Sequence, residues 1–181
     1  MELITQDVRK MIKFLKIITT ILIISPKILM SADMSGYLLN KAIEEFNNKN
    51  YESAYKSLTN IAPTGNPVAN YLLGQMYLKG LGIEPNYKIA YDKILYSSQK
   101  LFKHDKSLAI ESQITLSNMY ANGIGTDIDE SKAYMWSFIA YKTSENIHLT
   151  YLESLQSSIS AEDIKNIEEK GLRLLKKIIK D

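Results

Sequence analysis

Leu73-Gly74-Gln75-Met76-Tyr77-Leu78-Lys79-Gly80-Leu81-Gly82 returns, without a gap, as Leu116-Ser117-Asn118-Met119-Tyr120-Ala121-Asn122-Gly123-Ile124-Gly125. Tyr77 and Tyr120, Gly80 and Gly123, Gly82 and Gly125, and the later Ala90-Tyr91 and Ala133-Tyr134 all stand 43 positions apart. A fixed period of this size is the signature of stacked helical repeats. Each unit reads as a helix, a tight Gly-x-Gly turn and a second helix. Leu73, Met76, Tyr77 and Gly80 follow three- and four-residue steps, which place them on one helical face. Gly74 and Ser117 are small where a neighbouring helix has to come close. Gly80 and Gly82 supply the positive φ that stops the first helix. Pro85 is expected in the first turn of the helix that follows, and Asp127 or Asp129 at its N-terminus in the second copy.

The order Leu-Gly-x-x-Tyr-x-x-Gly-x-Gly, followed by Ala133-Tyr134-Met135-Trp136, resembles the Sel-1-like repeat (SLR), a relative of the tetratricopeptide repeat. Ser117 for Gly, Thr126 for a small aliphatic and Ile94 for an aromatic depart from the family pattern, and extra residues between Ser97 and Ser107 stretch the period. The resemblance implies an all-α chain, a short right-handed α-α superhelix closed by a C-terminal capping helix. It divides the chain into a signal peptide at 1–32, a degenerate first repeat at 33–65, repeats at 66–105 and 106–145, and capping helices at 146–181.

The first 32 residues have their own composition. Arg9, Lys10, Lys13 and Lys16 precede the apolar run 17–24, Ser25-Pro26 breaks it, and Ser31-Ala32 offers a small residue for cleavage, as in a secretory signal peptide. This run of eight residues falls short of the roughly 20 that span a bilayer. Export to the periplasm or beyond is therefore expected, with an uncleaved inner-membrane anchor as the alternative and Met11 as a second possible start. That segment holds five of the 22 basic residues and two of the 20 acidic ones, so the remainder carries a net charge of −1. No basic field is left to attract nucleic acid or an anionic membrane. With no cysteine in the chain, disulfides and thiol chemistry are excluded.

Between these regions, Tyr37, Leu38, Ala42, Ile43 and Phe46, a turn at 47–50, and Tyr51, Ala54, Tyr55, Leu58 and Ile61 read as a helix pair without the Gly-x-Gly turn. Asn66-Pro67 is a cap pair for the next helix. After Tyr141 a helix near 147–156 precedes Ser160 and Asp163, a helix start close to a capping box. The last helix places Ile164, Ile167, Gly171, Leu172, Leu175 and Ile178 on one stripe, with Lys176, Lys177 and Lys180 complementing its C-terminal dipole. A stack needs such a terminal cover; a partner-binding amphipathic helix is the alternative role.

Candidate chemistry is sparse. His104 and His148 lack neighbouring ligand patterns, and Glu44-Glu45, Glu162-Asp163 and Glu168-Glu169 are adjacent pairs whose members point apart on a helix. No catalytic residue, cofactor or metal is assigned. The tyrosines that recur with the repeat read as interhelical packing. If the units stack as in tetratricopeptide arrays, Tyr71, Gln75 and Leu78 face the concave side, with Ile114, Asn118 and Ala121 as their counterparts and Asn40 and Glu44 in the degenerate unit. That mixed, nearly uncharged surface suits an extended peptide held by amide side chains. The SLR resemblance accordingly implies an exported, non-enzymatic scaffold for a protein or peptide partner, without nucleic acid, cofactor or, once the signal is removed, membrane. The alternative is a cell-wall-acting or other hydrolase on the same frame.

Overall fold

The structure is a computed structural model that describes residues 13, 34–144 and 149–180. The signal segment, apart from Lys13, together with Met11, Ile147 and His148, lies outside the described residues. The chain divides into two compact units, 1–41 and 42–181, so the expected first repeat is shared between them. In the first unit residues 34–41 are helical. The second opens with helical residues 42–47 (α1), followed by α2 (Tyr51–Ile61), α3 (Pro67–Lys79), α4 (Tyr87–Lys100), α5 (Lys106–Asn122), α6 (Glu130–Thr143), α7 (Leu149–Gln156) and α8 (Ala161–Lys180). Among the described residues there is no strand.

The two Gly-x-Gly turns are copies of one another. Gly80 and Gly123 take φ of 66° and 67° and donate to Met76 and Met119. Leu81 N–H and Ile124 N–H then reach back to the same two carbonyls, at 3.0 and 2.9 Å, the paired closure of a helix that ends in a left-handed residue. The second glycine of each turn, at φ 69° and 73°, does something else. A Cβ on Gly82 would stand 2.6 Å from Tyr51 Cβ, and one on Gly125 would fall on the Tyr87 carbonyl. These glycines are where a turn lies directly on the first residue of the preceding repeat's second helix.

Caps follow the sequence with one correction. Asn66 accepts from Ala69 N–H at 2.9 Å with Pro67 in the first turn, and Asp129, not Asp127, accepts from Lys132 N–H at 2.8 Å. Pro85 does not enter α4. Asn86, the counterpart of Asp129, caps that helix by accepting from Ile89 N–H at 3.0 Å, and the Pro85 ring lies instead over Gly80. A side-chain acceptor satisfies an otherwise orphaned N–H, which a proline before the cap leaves free to happen. The stretched period is absorbed by a 3-10 turn, Leu101–Lys103, whose Leu101 is fully buried, and Asp105 caps α5.

Within repeats, the small residues do what close packing requires. A Cβ on Gly74 would come within 2.8 Å of Ile94 Cδ1, and the Ser117 hydroxyl donates to the Ala133 carbonyl at 2.6 Å. Between repeats, tyrosines pair hydroxyl to hydroxyl: Tyr55 with Tyr77 at 2.8 Å and Tyr91 with Tyr120 at 2.7 Å, their rings edge to face. Tyr134 is next in that series. Among the described residues no further tyrosine hydroxyl meets it; its hydroxyl donates to Glu168 Oε1 of α8 at 2.8 Å and accepts from Gln156 Nε2 of α7 at 3.0 Å.

The cap buries Ile167, Gly171 and Ile178, and Ile167 joins Leu152, Tyr134 and Phe138 in one apolar cluster. Leu172, expected on this stripe, is exposed, and Leu175 is only half-buried. Ser160 caps α8 through Asp163 N–H at 3.1 Å, while at the other end Lys103 Nζ donates to the Lys180 carbonyl at 2.7 Å.

Candidate functional site

The first helices of the two repeats, α3 and α5, carry matching stripes. Residues 71, 75 and 78 are spaced i, i+4, i+7, and 114 and 118 are spaced i, i+4, so each set shares one helical face. Tyr71, Gln75, Leu78, Ile114 and Asn118 line a single concavity of about 460 Å³. Ala121 and Glu44 do not line it, and Asn40 belongs to the first unit. Five of the eight groove positions read from the sequence are thus brought together.

Four further residues complete the walls. Glu111 and Thr115 extend the α5 stripe by one turn, and Lys79 closes α3. Helical spacing marks residue 111 as a neighbour of 114, 115 and 118, but its counterpart one period earlier is Val68, so comparison of the repeats points away from it. Tyr151 comes from α7, beyond the repeats, where no periodicity announces it. Its hydroxyl lies 3.4 Å from Ser117 Oγ.

The polar groups have defined roles. Tyr71, 5% exposed, donates its hydroxyl to Glu111 Oε2 at 3.0 Å across the joint between repeats. Burial first, and the Glu111 carboxylate second, hold the phenol well above its ordinary pKa, so it stays a proton donor. Gln75 is 6% exposed, and its Oε1 has no hydrogen-bond partner among the described residues. A buried carbonyl left unpaired costs roughly 1–3 kcal/mol. Asn118 Oδ1 is engaged by Asn122 Nδ2 at 2.7 Å, which turns its NH2 into the free end of the amide. Donors, acceptors, aromatic faces and aliphatic side chains therefore alternate along one trough. Among the described residues no three His, Asp or Glu side chains converge as a metal-binding group. No described helix is long and apolar enough to cross a membrane.

Residues 67–92 and 110–142 match the Sel1 repeat model, the first spanning α3 to the start of α4 and the second most of α5 with α6. No curated protein matches the chain. Among solved structures it resembles a protective antigen of uropathogenic Escherichia coli that displays an SLR fold (TM-score 0.69, 18% identity, 80% of this chain and 30% of that one). It also resembles a Sel1 repeat protein from Oxalobacter formigenes (TM-score 0.55, 23% identity, 77% of this chain and 54% of that one). The chain spans about a third and about half of the length of these two proteins, and at such identities the likeness is one of fold.

Proposed function

Because this chain is a Sel1-repeat protein whose first helices open a shared trough, we propose that it is an exported, non-enzymatic scaffold that binds an extended segment of a protein partner there. The observation that carries the proposal is that the amides of Gln75 and Asn118 and the Glu111 carboxylate line one concavity together with the apolar Leu78 and Ile114. An extended backbone offers N–H and C=O groups at intervals and needs this mixture of acceptor and donor. Leu78, Ile114 and the tyrosine faces supply the apolar contacts that carry most of the affinity in such sites. Export rests on the basic and apolar layout of residues 9–24.

A photocrosslinking residue placed at Leu78 or Asn118 in the producing cell should trap a discrete protein adduct. The same residue at Lys88 or Asp92, an exposed ion pair on α4, should not. Equal yields from both faces would remove the trough as the binding surface.

A further inference from the structure

The two repeats differ at one joint in a way their shared pattern does not explain. Where α2 and its following 3-10 turn meet α3 and α4, a concavity of about 480 Å³ opens. Ala62, Pro63, Leu73 and Ile89 give it apolar walls, with the Tyr77 ring beside them. At its polar side stands Lys93, whose ammonium donates to Asn70 Oδ1 at 3.1 Å; Asn70 is in turn fixed by its own donation to the Ala62 and Asn66 carbonyls. One period later the counterparts of Asn70 and Lys93 are Gln113 and Trp136, which are 0% and 2% exposed. At that joint an indole occupies the position that the first joint gives to a cation.

No Asp or Glu lines the concavity, and among the described residues no carboxylate lies within ion-pair distance of Lys93. Its neighbour Asp92 is taken by Lys88 at 3.0 Å. Burial pulls the Lys93 pKa below the ordinary lysine value, with only the nearby Tyr55 acting in the other direction. A half-buried cation with one neutral partner gains most from a single anion, because both charges are then satisfied in a partly desolvated setting.

We propose that this joint is a second binding site, which takes a carboxylate carried on a short apolar stem, with the carboxylate on Lys93 Nζ and the stem against Leu73 and Ile89. It is built from other helix faces than the Tyr71 trough and stands or falls without it. Two pairs of probes decide the matter by NMR, read at the Asn70 side-chain amide and the Ile89 methyl groups. One pair is hexanoate and hexanamide; the other is acetyl-Leu-Glu-Leu-amide and acetyl-Leu-Gln-Leu-amide. In at least one pair the acid should bind saturably and about tenfold or more tightly than its amide, and the pair that responds identifies a free acid or an acidic side chain as the natural source. Lys93→Met, which keeps the stem, should abolish the preference; Lys93→Arg should keep it; Lys93→Trp, which installs the second repeat's residue, should abolish binding in a folded protein. The proposal is overturned if neither acid outbinds its amide, or if Lys93→Met leaves the preference intact.

Discussion

Substituting alanine for Gly125 and for Gly123 separates two reasons for a glycine that the sequence motif runs together. Both residues have positive φ, 73° and 67°, so both variants incur the left-handed penalty of roughly 1–2 kcal/mol. At Gly123 the added methyl stands 3.0 Å from Ile128 Cγ1, part of an exposed side chain that can turn away. At Gly125 it falls on the Tyr87 carbonyl and lies 3.1 Å from Tyr91 Cβ, so backbone in the preceding repeat has to move, at a further cost of roughly 1–3 kcal/mol. Gly123→Ala is therefore expected to cost about 1–2 kcal/mol and Gly125→Ala roughly 2–5 kcal/mol, a large part of the ~5–15 kcal/mol that holds a typical domain. Urea unfolding followed by far-UV circular dichroism measures the difference, with Gly82→Ala expected to behave like Gly125→Ala because of Tyr51. Equal losses at 123 and 125 would show that the turn does not rest on the preceding helix.

Tyr91→Phe leaves the buried Tyr120 hydroxyl without its partner and should cost roughly 1–3 kcal/mol, whereas adding Tyr120→Phe should cost little more, a non-additivity read from a double-mutant cycle. Hydrogen bonding to Tyr55, then burial, pushes Tyr77 up to about 12, and burial foremost does the same for Tyr134. A folded pKa above the unfolded ~10 means that the unfolded state loses its proton first, so this stabilisation is complete below pH ~10 and lost as pH rises toward 12; ultraviolet titration should show these phenols ionising late, with unfolding. Removing residues 160–181 exposes the sites of Ile167 and Ile178, worth roughly 3–6 kcal/mol together, and should give an aggregating or unfolded product in size-exclusion chromatography; a soluble monomer with unchanged melting would make α8 a binding element instead. Mass spectrometry of the protein from its own cells should find a chain beginning near Asp33 outside the cytoplasm, and an intact Met1 or Met11 terminus in the cytoplasm would refute export.

What the sequence revealed about the fold is what backbone stereochemistry demands of particular residue types. Left-handed helix ends need Gly80 and Gly123, close approach needs Gly74, and orphaned N–H groups call for Asn66 and Ser160; all of these were legible without a structure, whereas the choice of Asp129 over Asp127 was not. Pro85 misled because both proline and asparagine are helix-start signals, and only the geometry shows that Asn86 holds the capping position. Leu172 misled for a different reason. The run Leu172-Arg173-Leu174-Leu175 offers two overlapping stripes at helical spacing, and the choice between them is made by Phe138, whose ring lies 3.1 Å from where a Gly171 Cβ would be. The repeat pointed to Tyr71, Gln75, Leu78, Ile114 and Asn118 in the trough, and also to Ala121, whose short side chain does not line it. Glu111, Tyr151 and Lys93 were not legible, because each occupies a place where the repeats differ or have ended, and a periodic argument carries no information there.

The same distinction explains why the stack stops after α6. Each second helix presents a tyrosine hydroxyl to the next unit, and in the interior that hydroxyl meets another tyrosine. Tyr134 is fully buried, so leaving its hydroxyl unmatched would carry the cost of a desolvated polar group. Glu168 and Gln156 remove that cost from two directions, one as acceptor and one as donor. A carboxylate accepts the bond but has no hydroxyl to pass on to a further unit, and the outer side of α8 carries Lys165, Glu169, Arg173 and Lys176, all exposed. These charges interrupt the apolar surface that the exposed Leu172 and Ile179 give to α8. The cap thus satisfies the last tyrosine of the series while ending the pattern of pairing that built it.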